Sequence, residues 1–263
     1  MPYNTLKVSI IPHDIVWGDK EENLLSIGII LSKMERDVDI VVLPQLFSTG
    51  WLSDPVMVSK LSESNSEKTI ETIKEWARKY NCAICGSFIA TTLNKYYNRV
   101  FFIEPSGEET FYDKRHLSLS NGESNLMESG KIPSPIIRFR GWNLKLIAGD
   151  DLQYPIWCRG YKNSYDALLV VANTPSSKSK HWEHLLIGRA VENQAYVICA
   201  NRTGNDDFGS YKHEDSIVVD YMGELNMSKK GMCIFAELDY CKLSEFRDKI
   251  QMWKDADDYQ ILF

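Results

Sequence analysis

The chain has no run of five or more basic residues, and its 263 residues carry a formal net charge of −6. A nucleic-acid partner is therefore not expected. No apolar stretch approaches the roughly 20 residues that span a bilayer as a helix. Residues 1–7 lack the charged-then-apolar order of a secretory signal. These absences lead to the expectation of a cytoplasmic protein with no membrane partner. No linker rich in Pro, Gly and Ser and no short repeat interrupts the chain, so residues 1–263 are read as one domain. The six cysteines are read as free thiols. Cys82 and Cys85 form a C-x-x-C without a second pair, and alternation along an apolar strand would turn them to opposite faces. No metal and no cofactor is expected.

What is present is ordinary for a packed soluble chain: 44% hydrophobic and 25% charged residues. A chain of this length can hide roughly 70–75% of its unfolded surface. Val8, Ile10 and Ile11 mark a first strand over 7–12. Asp19 offers an N-cap with Glu22 three residues on, and Leu24, Ile27, Leu31 and Met34 follow at helical spacing, predicting a helix over 20–36. Residues 38–43 are near-continuously apolar, as a strand buried on both faces reads. Ser64 and Glu67 cap a second helix whose buried stripe is Ile70, Ile73, Ala77 and Tyr80. Another buried strand covers 83–89. Hairpins are predicted from 97–103 with 109–112, and from 136–139 with 142–148. A strand over 166–172, a helix over 180–193, strands over 196–201, 216–219 and 232–237, and a helix over 243–250 complete the chain. The alternation predicts an α/β fold of two mixed sheets with helices outside.

The strand over 142–148 ends in an abrupt corner, Gly149-Asp-Asp151. A strand that stops in a sharp turn is where α/β enzymes mount a nucleophile. This corner holds no Ser, Cys or Thr. Two other loops leave strand ends with polar residues in apolar surroundings, Leu43-Pro-Gln-Leu-Phe-Ser-Thr-Gly50 and Tyr112-Asp-Lys-Arg-His-Leu117.

Together these stretches resemble the nitrilase superfamily, the carbon–nitrogen hydrolases, over nearly the whole chain. Asp14-Ile-Val-Trp-Gly-Asp19 with Asn23 is similar to the family's first strand-to-helix junction. The loop at 43–50 resembles its "LPE-x-F-x-TG" base motif, and that at 112–117 its lysine motif. Asp151-Leu-Gln-Tyr-Pro155 resembles the tail of its "CYDLRFP" nucleophile motif. Arg189-Ala-Val-Glu-Asn-Gln-Ala-Tyr-Val197 and Asn201-Arg-Thr-Gly204 resemble its late helix-to-strand segment. Trp253-Lys-Asp-Ala-Asp-Asp258 resembles the branch containing ω-amidases, which act on α-keto acid amides. The resemblance implies a four-layer α-β-β-α sandwich, often dimerised. It implies a Glu base, a Lys that stabilises the oxyanion and a Cys nucleophile that passes through a thioester.

Carried over position by position, the base falls on Gln45, the lysine on Lys114 and the nucleophile on Gly149. The residue after the nucleophile falls on Asp150, the motif's arginine on Gln153, and a second glutamate near the site on Glu123. Gln45 copies the shape of a glutamate but has no accessible basic form, and Gly149 has no side chain at all. The departures at Asp150 and Gln153 extend beyond the catalytic residues, which reads as natural drift at a site relieved of catalysis.

The resemblance therefore implies a hydrolase homologue with little or no activity, a pocket for a small carboxylate or amide anchored by Lys114, and a homodimer. The competing reading is an active hydrolase of linear amide C–N bonds that uses rearranged residues such as Asp150 and Glu123. Asp150 lies one residue late in register, so its side chain is expected to point away from the site. Removing base and nucleophile leaves Lys114 short of partners, with Asp150 and Glu123 as its candidate counter-ions; the alternative is a lysine partly solvated in an open pocket. His181 and His184, at i and i+3, are read as surface or pocket rim. Trp17, Trp51, Trp142, Trp157 and Trp182 are read as core or pocket wall. Cys158, Cys85 and Cys199 are read as packing residues.

Overall fold

The computed structural model describes residues 3–34 and 37–261. Strand β1 (Thr5–Ile10) leads into helix α1 (Lys20–Ser32), whose N-cap Asp19 accepts from the Glu22 amide at 3.0 Å. The helix stops short of the expected end, and Arg36 lies outside the described residues. Strand β2 (Ile40–Val42) follows, then helix α2 (Pro55–Leu61) and helix α3 (Lys68–Tyr80). Helix α2 is additional to the predicted elements, although Asp54 before Pro55 is an N-cap followed by a proline in the first turn. Ahead of α3, the Glu67 carboxylate accepts from the Ser64 amide, while the Ser64 hydroxyl pairs with Ser66 instead of capping.

Strands β3 (Ala83–Thr92), β4 (Lys95–Ile103) and β5 (Glu109–Asp113) run antiparallel in succession. The hairpin of β6 (Ile137–Phe139) and β7 (Trp142–Ala148) comes next, then the short helix α4 (Pro155–Cys158) and strand β8 (Ala167–Val171). Helix α5 (Ser179–Asn193) precedes strand β9 (Tyr196–Ala200). The small hairpin of β10 (Gly204–Asp206) and β11 (Gly209–Tyr211) is likewise additional. Strands β12 (Ile217–Val219), β13 (Ser228–Lys230) and β14 (Cys233–Asp239) and helix α6 (Tyr240–Ile250) follow, with a 3-10 turn (Met252–Asp255) after them.

Among the described residues one sheet has the order β13-β14-β1-β2-β3-β4-β5 and the other β12-β9-β8-β7-β6. Each is mixed: β1, β2 and β3 are parallel, as are β7, β8 and β9, with antiparallel strands at the edges. Strand alternation splits the first sheet's side chains. Val8, Ile10, Ile40 and Val42 join the core shared with the second sheet, while Val41, Leu43 and Ile84 pack against Leu24 and Ile27 of α1 and Ile70 and Ile73 of α3. Trp182, Leu186 and Ala190 of α5 and Leu243 of α6 cover the second sheet. The layers are thus helix, sheet, sheet, helix, an α/β sandwich. Cys82 and Cys85 fall into the two different cores, and burial pushes Cys82 up to about 11 and Cys85 higher still. No helix among the described residues is long and apolar enough to cross a membrane.

Candidate functional site

Parallel strands end together, and ligand sites of open α/β sheets lie beyond their C-terminal ends. Here the ends of β2, β7 and β8 meet across the two sheets. The Gln45 amide, just past β2, donates to the Ala172 carbonyl, just past β8, at 3.1 Å. A cavity of about 460 Å³ opens there, and Gln45, Lys114, Glu123, Gly149 and Asp150 all line it. Gln153 lines it as well, so the six positions singled out from sequence are brought to one place.

Gly149 starts a short 3-10 turn (Gly149–Gln153) with φ +45°, a left-handed conformation that side chains disfavour. An ideal Cβ at this position would lie 2.5 Å from Gln45 Oε1. The amide of Gln45 thus leans into the space that a side chain at 149 would occupy. Leu46 beside it is also left-handed, at φ 53°, and its amide donates to Ser87 Oγ at 2.8 Å.

Lys114 follows β5 and is 2% exposed. Its ammonium donates to Glu123 Oε2 at 2.5 Å and to Asp150 Oδ2 at 3.0 Å. Both expected counter-ions are therefore in contact, and the solvated-lysine alternative is not what the structure has. Burial by itself pulls the Lys114 ammonium down, but Glu123 and Asp150 together outweigh it and leave it above the usual lysine value. Asp150 departs from the expectation that its side chain points away. The tight 3-10 turn swings it into the cavity, where it is 30% exposed and Gln153 Nε2 donates to its Oδ1 at 2.9 Å.

Behind the lysine, a polar chain runs through the core. Asn98 Nδ2 donates to Glu123 Oε1 at 3.1 Å, Ser87 Oγ donates to Asn98 Oδ1 at 3.0 Å, and the Ser118 amide donates to Glu123 Oε2 at 2.8 Å. Ser87 and Asn98 escaped notice in the sequence, although a serine inside a strand that reads as buried was a usable signal. Asp151, fully buried, ties the corner to the lysine loop. It accepts from Tyr112 Oη, from the Arg115 and His116 amides at 3.3 and 2.8 Å, and is paired with His116 Nδ1 at 2.7 Å. Arg189 fixes the far end of the turn by donating to the Leu152 carbonyl from Nε at 3.0 Å and Nη2 at 2.8 Å.

The remaining expectations divide. Trp51, Trp182 and His181 line the cavity and His184 does not. Trp142 and Trp157 are core, but Trp17 is half exposed, its Nε1 donating to the Trp51 carbonyl at 2.7 Å, which corrects its reading as core or wall. Cys158 is buried away from the cavity and pushed up to about 12 by burial, as is Cys199. Among the described residues, no group of three His, Cys, Asp or Glu side chains is arranged to hold a metal ion. Asn173, beyond β8, was missed; it lines the cavity, and both its amide atoms are buried without a partner among the described residues.

A sequence model of the carbon–nitrogen hydrolase family matches residues 7–239. The omega-amidase YafV of Escherichia coli (strain K12) is 34% identical over 259 residues, covering 97% of this chain and 98% of its own. A CN-hydrolase superfamily protein from Xanthomonas campestris, solved with an arsenic adduct in its active site, superposes with a TM-score of 0.91 at 26% identity, over 98% of this chain and 100% of its own. A double mutant of the amidase from Nesterenkonia sp. AN1, glutamate to glutamine and cysteine to alanine, was solved in complex with acrylamide. It shares the fold with a TM-score of 0.81 at 20% identity, over 95% and 97% of the two chains.

Proposed function

This chain belongs to the carbon–nitrogen hydrolase family, on its ω-amidase-like branch, and from that premise we propose that it binds a small amide or carboxylate without hydrolysing it. The family's base, lysine and nucleophile positions read Gln45, Lys114 and Gly149. Residues 1–263 act as one domain, and the protein works as a cytoplasmic homodimer, a state that light scattering of the purified chain would check.

The observation that carries the reading is the corner itself. Gly149 offers no atom to attack a carbonyl, and the group that leans into its space is the amide of Gln45. An amide cannot take a proton from a nucleophile at neutral pH. Loss of a nucleophile from an organised triad costs about six orders of magnitude in a protease, and base and nucleophile act as a unit, so the second loss overlaps the first. The amidase double mutant supports retained binding: with its glutamate and cysteine replaced, that protein was still solved in complex with an amide.

One observation favours the competing reading, an active hydrolase. Asp150 reaches the cavity after all, 3.0 Å from the lysine that would steady an oxyanion. An aspartate can act as a covalent nucleophile. Here, however, its oxygens accept hydrogen bonds from Lys114 and Gln153, which draw off the electron density that attack would need. The test is ammonia release from a panel of ω-amides and nitriles, with a Gln45→Glu/Gly149→Cys double mutant alongside. The natural chain is expected at background. Release well above background would overturn the proposal, and release by the double mutant alone would support it.

A further inference from the structure

The two ends of the cavity carry opposite charge. At the inner end one ammonium, Lys114, faces two carboxylates, Glu123 and Asp150, which leaves that end net negative. Glu123 is closed off, 1% exposed and surrounded by its donors Asn98, Ser118 and Lys114. Asp150 is not closed off: each of its oxygens accepts one side-chain bond and keeps a lone pair. The Gln45 side chain, over Gly149, makes no hydrogen bond to any described residue. Trp51 Nε1 is buried in the same wall without a partner among the described residues, as is the Asn173 amide. At the mouth stand Lys178 and His181, both exposed, where α5 begins.

A ligand carboxylate aimed at Lys114 would meet two carboxylates already seated there and would have to displace Asp150. A protonated amine in the same place meets an excess of negative charge and two free acceptors, the Asp150 carboxylate and the Gln45 amide oxygen. We propose that the cavity takes a small ω-amino acid, its ammonium at the inner end against Asp150 and Gln45 and its carboxylate toward Lys178 at the mouth. This rests on the non-hydrolysing reading: without a nucleophile the inner end of the ligand need not be an acyl group.

Isothermal titration calorimetry on the full chain decides it, with δ-aminovalerate, glutaramate, glutarate and pentylamine as probes. The expected order puts δ-aminovalerate about tenfold or more tighter than glutarate and glutaramate. Pentylamine, which lacks the carboxylate, binds more weakly than δ-aminovalerate. Asp150→Asn removes the preference for the amine and leaves glutaramate within about threefold. Lys178→Met weakens δ-aminovalerate and not pentylamine. Glutarate or glutaramate binding as tightly as the amine, no binding by any probe, or an Asp150→Asn variant with undiminished amine affinity each overturns the proposal. Should Asp150→Asn fail to fold, the ranking on the natural chain is decisive by itself. Glutaramate bound unhydrolysed, with no preference for the amine, sinks only the ligand class. Glutaramate releasing ammonia sinks the non-hydrolysing reading beneath it.

Discussion

Gly149 holds φ +45° with the Gln45 amide against it, so any side chain here meets two penalties. The left-handed backbone costs about 1–2 kcal/mol for a non-glycine residue, and Gln45 must also withdraw. Gly149→Ala and Gly149→Cys should each lose about 1–2 kcal/mol of unfolding free energy and so lower the urea midpoint; an unchanged or raised midpoint would show that the glycine relieves no strain. Lys114 behaves oppositely, since its cost comes from removal. Lys114→Met strands Glu123 and Asp150 around a neutral side chain and should destabilise by about 3–5 kcal/mol. Because the folded lysine sits above its usual 10.5, the contribution of Lys114 is complete below that value and is lost only as pH rises beyond it. Urea melts of wild type and Lys114→Met across the alkaline range should therefore converge only at the top. At this scale the sequence was most legible where polar residues leave strand ends in apolar surroundings, since Gln45, Lys114 and Gly149 all line one cavity. It was least legible where a polar residue is buried inside a strand, as Ser87 and Asn98 are, because local pattern carries no record of a partner many residues away.

Elements explain how such positions are held. The 3-10 turn after β7 brings Asp150 forward and Asp151 back, so two adjacent carboxylates serve opposite sides of one turn. Strand alternation and motif register could not foresee this, since they assume extended backbone past the corner. Asp151→Ala should leave the Tyr112 hydroxyl proton and the His116 amide without an acceptor, at about 1–3 kcal/mol each. It should also loosen the lysine loop, which hydrogen exchange at His116 would report. The junction of β1 and α1 is a second such joint. His13 is buried, with Nε2 3.0 Å from Asn23 Oδ1, and Asn23 also holds Val16 and Ser48. Burial holds His13 below its usual 6.5, outweighing the hydrogen bond to Asn23 that raises it. A depressed histidine contributes stability that is present above 6.5 and is lost as pH falls through its folded value. Acid melts should thus steepen below about pH 6.5, and His13→Gln should flatten that slope.

For the whole molecule, the layer order was readable because buried strands and amphipathic helices alternate strongly, while the short pieces α2, β10, β11 and β13 were not. Those have few residues over which a period can show. The two sheets share one apolar core that draws Val8, Ile10 and Ile40 from one and Leu144, Leu146 and Leu169 from the other. They should therefore unfold together, with tryptophan fluorescence and far-ultraviolet dichroism giving coincident urea transitions. Separated transitions would mean that the sheets are independent units.

The doubly paired lysine also sets a direction for change. Asp150 supplies a negative charge beside Lys114, which on the reading proposed above takes the place of a glutamate at position 45. Making Gln45→Glu first would crowd a third carboxylate into the cavity, and like charges resist sharing a site. Replacing Asp150 first clears that obstacle. On the non-hydrolysing reading proposed above, any route to hydrolysis therefore depends on the order of steps, with Asp150 the residue to replace first.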